Sequence, residues 1–186
     1  DLGRTARRGG IASLRESLAL CIRAHVPGCG EPLVDALLPL AEQRQAMPMV
    51  MLALAHAEGV GVAKDMQAAQ ALLEAADRRW YRRGASVAYA HLQTLAGGAA
   101  DDAFAMERLR LAEAAGNVDA AMLRMARQFI ARPEGALSPA QRELLSRPAA
   151  NGTGMGHAIL AGYHEQAGDK AAQQAARRQA AKRATR

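Results

Sequence analysis

Cys21 and His25 stand four residues apart in a segment that reads as a helix. That spacing would let a thiolate and an imidazole face each other, as a nucleophile and its base do. Nothing in the surrounding sequence orients the histidine, and no oxyanion donors are evident. His157 and His164 are seven apart and can share a helix face, but two imidazoles without further ligands do not make a metal site. His56 and His91 fall on different helices and suit partly exposed helix positions. The segment Asn151–Gly156 (NGTGMG) is spaced like a phosphate-cradling glycine loop. Such a loop needs a preceding strand, and only the following helix is predicted, so a hinge is the better reading. No catalytic, cofactor-binding or metal-ligating set emerges, and the chain reads as a non-enzyme that needs no cofactor.

Two constellations remain. Cys21 and Cys29 flank a turn signal, Val26-Pro27-Gly28 with Gly30 just beyond. A turn there could bring the sulfurs together as a disulfide, which implies an oxidising compartment. The other reading is two small buried thiols in a helical core. The second constellation is Trp80-Tyr81 set among Arg78, Arg79, Arg82 and Arg83. Aromatics interleaved with arginines could stack on bases or sugars, and they also suit a protein interface. They could equally cover the junction between two repeats.

The elements that position these residues are helices. Half of the residues are hydrophobic but only 3% are aromatic, with alanine supplying much of the difference. Alanine loses no rotamers in a helix, and small side chains let helices approach closely. No useful run of β-branched and aromatic residues reads as a strand. The chain is therefore expected to be all-α. No apolar run is long enough to span a bilayer, and no signal peptide is legible, although a removed one is compatible with a start at Asp1. The net charge is +6, with much of the excess at the two ends. A basic balance admits an anionic polymer as partner, but terminal charge is usually a solvated tail.

Along the chain, residues 1–10 read as a flexible basic N-terminus. A divergent or capping hairpin follows over 11–47. Ser13 and Glu16 could form a capping box for its first helix. Pro32 can open its second helix, and Pro39 should kink or interrupt it. The clearest unit then runs from Pro48 to Asp77. It is a short helix, a loop carrying Gly59, Gly61 and Asp65, and a second helix with the stripe Ala68, Ala69, Leu72, Leu73 and Ala76. A second copy places Gly97-Gly98 in its loop, with Asp101 or Asp102 as cap. Glu74-Ala75-Ala76 recurs 39 positions on as Glu113-Ala114-Ala115. A third copy opens at Asn117, with an altered loop at Arg132–Gly135 and a restart at Ser138-Pro139. A fourth begins at His157, and the region 169–186 forms a basic C-terminal helix. Repetition at this period predicts a stack of helical hairpins.

The fragment Gly59-Val60-Gly61-Val62-Ala63-Lys64-Asp65, with Ala68-Ala69 and Glu74-Ala75-Ala76 after it, resembles the Sel1-like repeat, a relative of the tetratricopeptide repeat. That family's pattern is a helix, a G-x-G-V-x-x-D loop and a helix with a K-A-A-x-x-G-like ending. In the second copy Ala99 stands where the second loop glycine would be, and the third copy lacks the loop motif. The resemblance covers about 48–168. It implies an α/α superhelical solenoid of about four hairpins, acting as a scaffold or adaptor for another protein. Bacterial members often act at the envelope. By fold analogy the partner would meet the exposed members of the first helices, Met49–Glu58, Ser86–Gln93 and Asp119–Gln128. His56, Tyr89 and Gln93 are the candidates there, beside Arg78, Arg79, Trp80, Tyr81, Arg82 and Arg83. The alternative is a basic module for nucleic acid or an acidic polysaccharide, using the arginines at 78–83 and the C-terminal helix. Localisation follows the cysteines: periplasmic with a disulfide, cytoplasmic with free thiols. The sequence names neither the partner nor the oligomeric state.

Overall fold

The structure is a computed structural model and describes residues 2–132, 137–146 and 155–184. Among the described residues all regular structure is helical, in ten α-helices and one 3₁₀ turn. The chain divides into two compact units, Asp1–Asn117 and Val118–Arg186, so the repeat-like region 48–168 is shared between them.

The first unit holds α1 (Leu2–Ala24), α2 (Gly30–Glu42), α3 (Ala46–Glu58), α4 (Met66–Asp77), α5 (Gly84–Leu95) and α6 (Ala103–Ala114). The 3₁₀ turn Tyr81–Arg83 lies between α4 and α5. Residues 2–9, expected as a flexible tail, are helical, and the break comes at Gly10 (φ 68°, ψ −166°). The leucine, alanine and arginines of that stretch are all good helix formers. Ser13 consequently lies inside α1 and does not cap it. Pro39 does not interrupt α2 either. The carbonyl it orphans belongs to Asp35, on the exposed side of the helix, where water can satisfy it.

Consecutive helices pack as pairs, α1 with α2, α3 with α4 and α5 with α6. The first members also touch one another, and α3 contacts α1, α2, α4 and α5. That position explains its composition. Every residue from Pro48 to Ala55 is buried, as is Ala57, so the helix is apolar on all sides. The alanines at 53, 55, 69 and 76 are completely buried and permit the close approach.

The joints use the expected chemistry. Gly59 ends α3 in the left-handed region, and the Asp65 carboxylate caps α4 by accepting from Gln67 N at 2.9 Å and Ala68 N at 3.0 Å. Asp102 caps α6, accepting from Ala105 N at 2.8 Å. Gly61 has a second task. A Cβ on it would lie 2.7 Å from Glu31 N and closer still to the Gly30 carbonyl, so the loop and the start of α2 meet backbone to backbone. Beside that contact, Cys21 at the end of α1 and Cys29 at the start of α2 form a disulfide, with Cα atoms 5.9 Å apart.

The second unit holds α7 (Val118–Ala131), α8 (Pro139–Ser146), α9 (Met155–Gln166) and α10 (Lys170–Ala184). Its core gathers Met122, Met125, Leu137, Leu145, Ile159, Leu160, Ala161 and Ala176. Ser138 and Gln141 form a reciprocal capping box: Gln141 N donates to Ser138 Oγ at 3.2 Å, and Ser138 N donates to Gln141 Oε1 at 2.8 Å. Asp169 caps α10 by accepting from Ala172 N at 3.0 Å. The altered loop at Arg132–Gly135 falls largely outside the described residues, as does the glycine segment Asn151–Gly156 apart from Met155 and Gly156, which begin α9.

Candidate functional site: the arginine and aromatic turn

The turn after α4 is built from the helix end outward. Asp77 is the last residue of α4, and its carboxylate points inward rather than to solvent. Oδ1 accepts from Ser86 N at 3.0 Å. Oδ2 accepts from Ser86 Oγ at 2.7 Å, Arg108 Nη2 at 3.1 Å and Arg83 Nε at 3.3 Å. Arg108 Nε also donates to Ser86 Oγ at 3.2 Å. The Asp77 and Arg108 side chains are each only 4% exposed. This buried ion pair therefore joins α4, α5 and α6, with hydrogen bonds satisfying both carboxylate oxygens.

That network holds an unfavourable backbone. Arg82 (φ 48°) and Arg83 (φ 57°) lie consecutively in the left-handed region. Each costs about 1–2 kcal/mol for a residue bearing a Cβ. Arg83 is tied to Asp77. Arg82 donates from Nη1 to Gly116 O at 2.8 Å, and its own carbonyl accepts from Asn117 Nδ2 at 3.1 Å. Trp80 lies against the start of α5 because Gly84 leaves room: a Cβ there would sit 2.8 Å from the indole Cδ1.

The outer side of the turn is left to solvent. Tyr81 is 76% exposed, with the Arg82 guanidinium 4.9 Å above its ring. Arg78 and Arg79 are exposed, and their side chains have no ion-pair or hydrogen-bond partner among the described residues. The six candidates of this turn thus divide. Arg83, Arg82 and Trp80 are engaged in building it, whereas Arg78, Arg79 and Tyr81 are presented by it. Ser86, Asp77 and Arg108 were missed at the sequence level. A carboxylate on the last residue of an otherwise apolar helical stripe was the available signal.

The remaining candidates are placed differently. Tyr89 is 2% exposed and meets Phe104 edge-on, with ring centroids 5.5 Å apart. Gln93 is also buried, against Gly98. Neither presents itself to a partner, which corrects the choice of these two as exposed members of a first helix. On α3, which is enclosed by four other helices, Glu58 and half-buried His56 remain toward solvent in the last turns. His56 Nδ1 is buried without a hydrogen-bond partner. Cys21 is bonded to Cys29, so it cannot act as a thiolate beside His25. In the second unit Arg177 is paired with Glu165 at 3.1 Å.

A cavity of about 360 Å³ opens next to the disulfide, lined by His25, Val26, Glu31, Glu58 and the glycine loop. Among the described residues no group of three or more His, Cys, Asp or Glu side chains is arranged to hold a metal ion. No described helix is long and apolar enough to cross a membrane. Comparison with protein-family models, curated proteins and solved structures finds no match to this chain.

Proposed function

We propose that this protein is a helical-repeat adaptor of the Sel1-like kind, which binds another protein through the exposed side of the Arg78–Arg82 turn. One observation carries the reading: Arg78, Arg79 and Tyr81 stand exposed on a turn that hydrogen bonds to Asp77, Gly116 and Asn117 hold in a strained conformation. Arginine and tyrosine are enriched where proteins bind partners, and a preformed surface loses less entropy on binding. The paired helices of the first unit and their glycine–aspartate joint support the solenoid part of the proposal. The Cys21–Cys29 disulfide supports an oxidising compartment such as the bacterial periplasm.

The test is crosslinking with mass spectrometry on the full chain in its native host. Protein crosslinks that include the Arg78–Arg82 segment are the expected result. Recovery of no protein partner at all would sink the adaptor reading.

A further inference from the structure

We infer that the outer side of the Arg78–Arg82 turn is a docking surface for a short acidic peptide segment of a partner protein. This inference rests on the adaptor reading and names the chemistry of its partner. A guanidinium matches a carboxylate in a two-pronged, charge-assisted geometry, and two adjacent arginines offer two such forks. Tyr81 adds a rigid apolar face beside them, with its ring already covered on one side by Arg82.

The extent of the free charge decides between an acidic peptide and a nucleic acid. A phosphate backbone is recognised by a track of cations that neutralise many charges in succession. Here the neighbouring arginines are already engaged. Arg108 and Arg83 serve Asp77. Arg110 is held in two hydrogen bonds by Glu107, at 2.7 and 2.8 Å. Glu74, one turn before Arg78, keeps a partly exposed carboxylate that receives Gln70 Nε2 at 2.9 Å and lies 3.8 Å from Arg108 Nη1. The uncommitted positive charge is therefore a few residues wide and bordered by carboxylates. That width fits a short acidic segment better than an extended polyphosphate, which takes a longer track of cations.

The experiment is a fluorescence-anisotropy titration of the full chain with three labelled probes of equal length. They are a glutamate-rich peptide, the same peptide with glutamine at each glutamate, and an oligothymidylate. The glutamate peptide should bind saturably and more tightly than the other two, with affinity falling as salt rises. R78Q/R79Q should weaken it by about tenfold or more, and Tyr81→Ala by a few-fold. All three substitutions are on exposed side chains and should leave the helical circular-dichroism spectrum unchanged. Tighter binding of oligothymidylate would overturn the inference in favour of a nucleic acid. Undiminished peptide binding by R78Q/R79Q would overturn it by placing the site elsewhere. Absence of peptide binding, with partner crosslinks still falling on the Arg78–Arg82 segment, would overturn it and leave the adaptor reading standing.

Discussion

The loop Gly59–Asp65 and the turn Arg78–Arg83 both redirect the chain between packed helices, and both do so with left-handed backbone. The loop places φ values of 72° and 74° on Gly59 and Gly61. The turn places values of 48° and 57° on Arg82 and Arg83. Glycine meets the requirement within the residue itself, because it has no Cβ to clash. Arg82 and Arg83 meet it with contacts from other elements: Asp77 from α4, Gly116 and Asn117 from the end of α6 onward. The first joint is thus set locally and the second is set by tertiary contacts. That difference also separates their roles, since a joint braced from inside can leave its outer side chains free.

If this contrast holds, the largest effect should come from Asp77→Ala. It leaves Arg108 buried without its counter-charge and should cost about 3–5 kcal/mol in urea unfolding. A cost under 1 kcal/mol would mean that the network does not hold the turn. Gly61→Ala should come next, at about 2–4 kcal/mol, because its Cβ would meet backbone atoms that cannot rotate away, on top of the unfavourable φ. Reducing the Cys21–Cys29 bridge beside that contact should lower stability by about 2–3 kcal/mol, measured by thermal unfolding with and without reductant.

The sharpest comparison is smaller. Arg83→Ala keeps the strained φ and loses the bond to Asp77, so it should destabilise by about 1–2 kcal/mol. Arg83→Gly loses the same bond but removes the strain, so it should recover about 1 kcal/mol of that loss. Equal stabilities for the two variants would show that the left-handed backbone is not strained. The least effect should come from Glu107. Its hydrogen bond and charge attraction to Arg110 hold its pKa below the ordinary 4.5. A depressed carboxylate pKa contributes stability above the unfolded pKa and loses it as pH falls through the folded value. Both partners are exposed, so Glu107→Gln should leave the unfolding temperature at pH 7 indistinguishable from wild type, with any difference vanishing further below pH 4.5.

Much of the helical framework was legible because it depends on neighbours in sequence. Gly59, Asp65, Asp102 and Ser138 mark their joints by side-chain properties that act within a few residues. Where the reading failed, the cause was local for two features and tertiary for two others. Gly10 broke α1, and the helix-forming residues before it folded as a further segment. Pro39 was absorbed because Asp35 faces solvent. Tyr89 and Gln93 looked like surface residues of a first helix and were enclosed. For the candidate site, the six residues were found in the sequence, but their division into builders and presented groups was not.

The sequence by itself determined an all-helical chain with glycine and aspartate joints and two cysteines on either side of a turn signal. These follow from backbone propensity, periodicity and chain reach, which are properties of short segments. Only the tertiary structure decided that Asp77 turns inward to Arg108 and Ser86, that Gly61 abuts Gly30, and that Arg78, Arg79 and Tyr81 are left outside. Those outcomes depend on residues as far apart as 77 and 108 meeting in a buried place. There an unpaired charge is too costly to persist, and each polar group must find its partner.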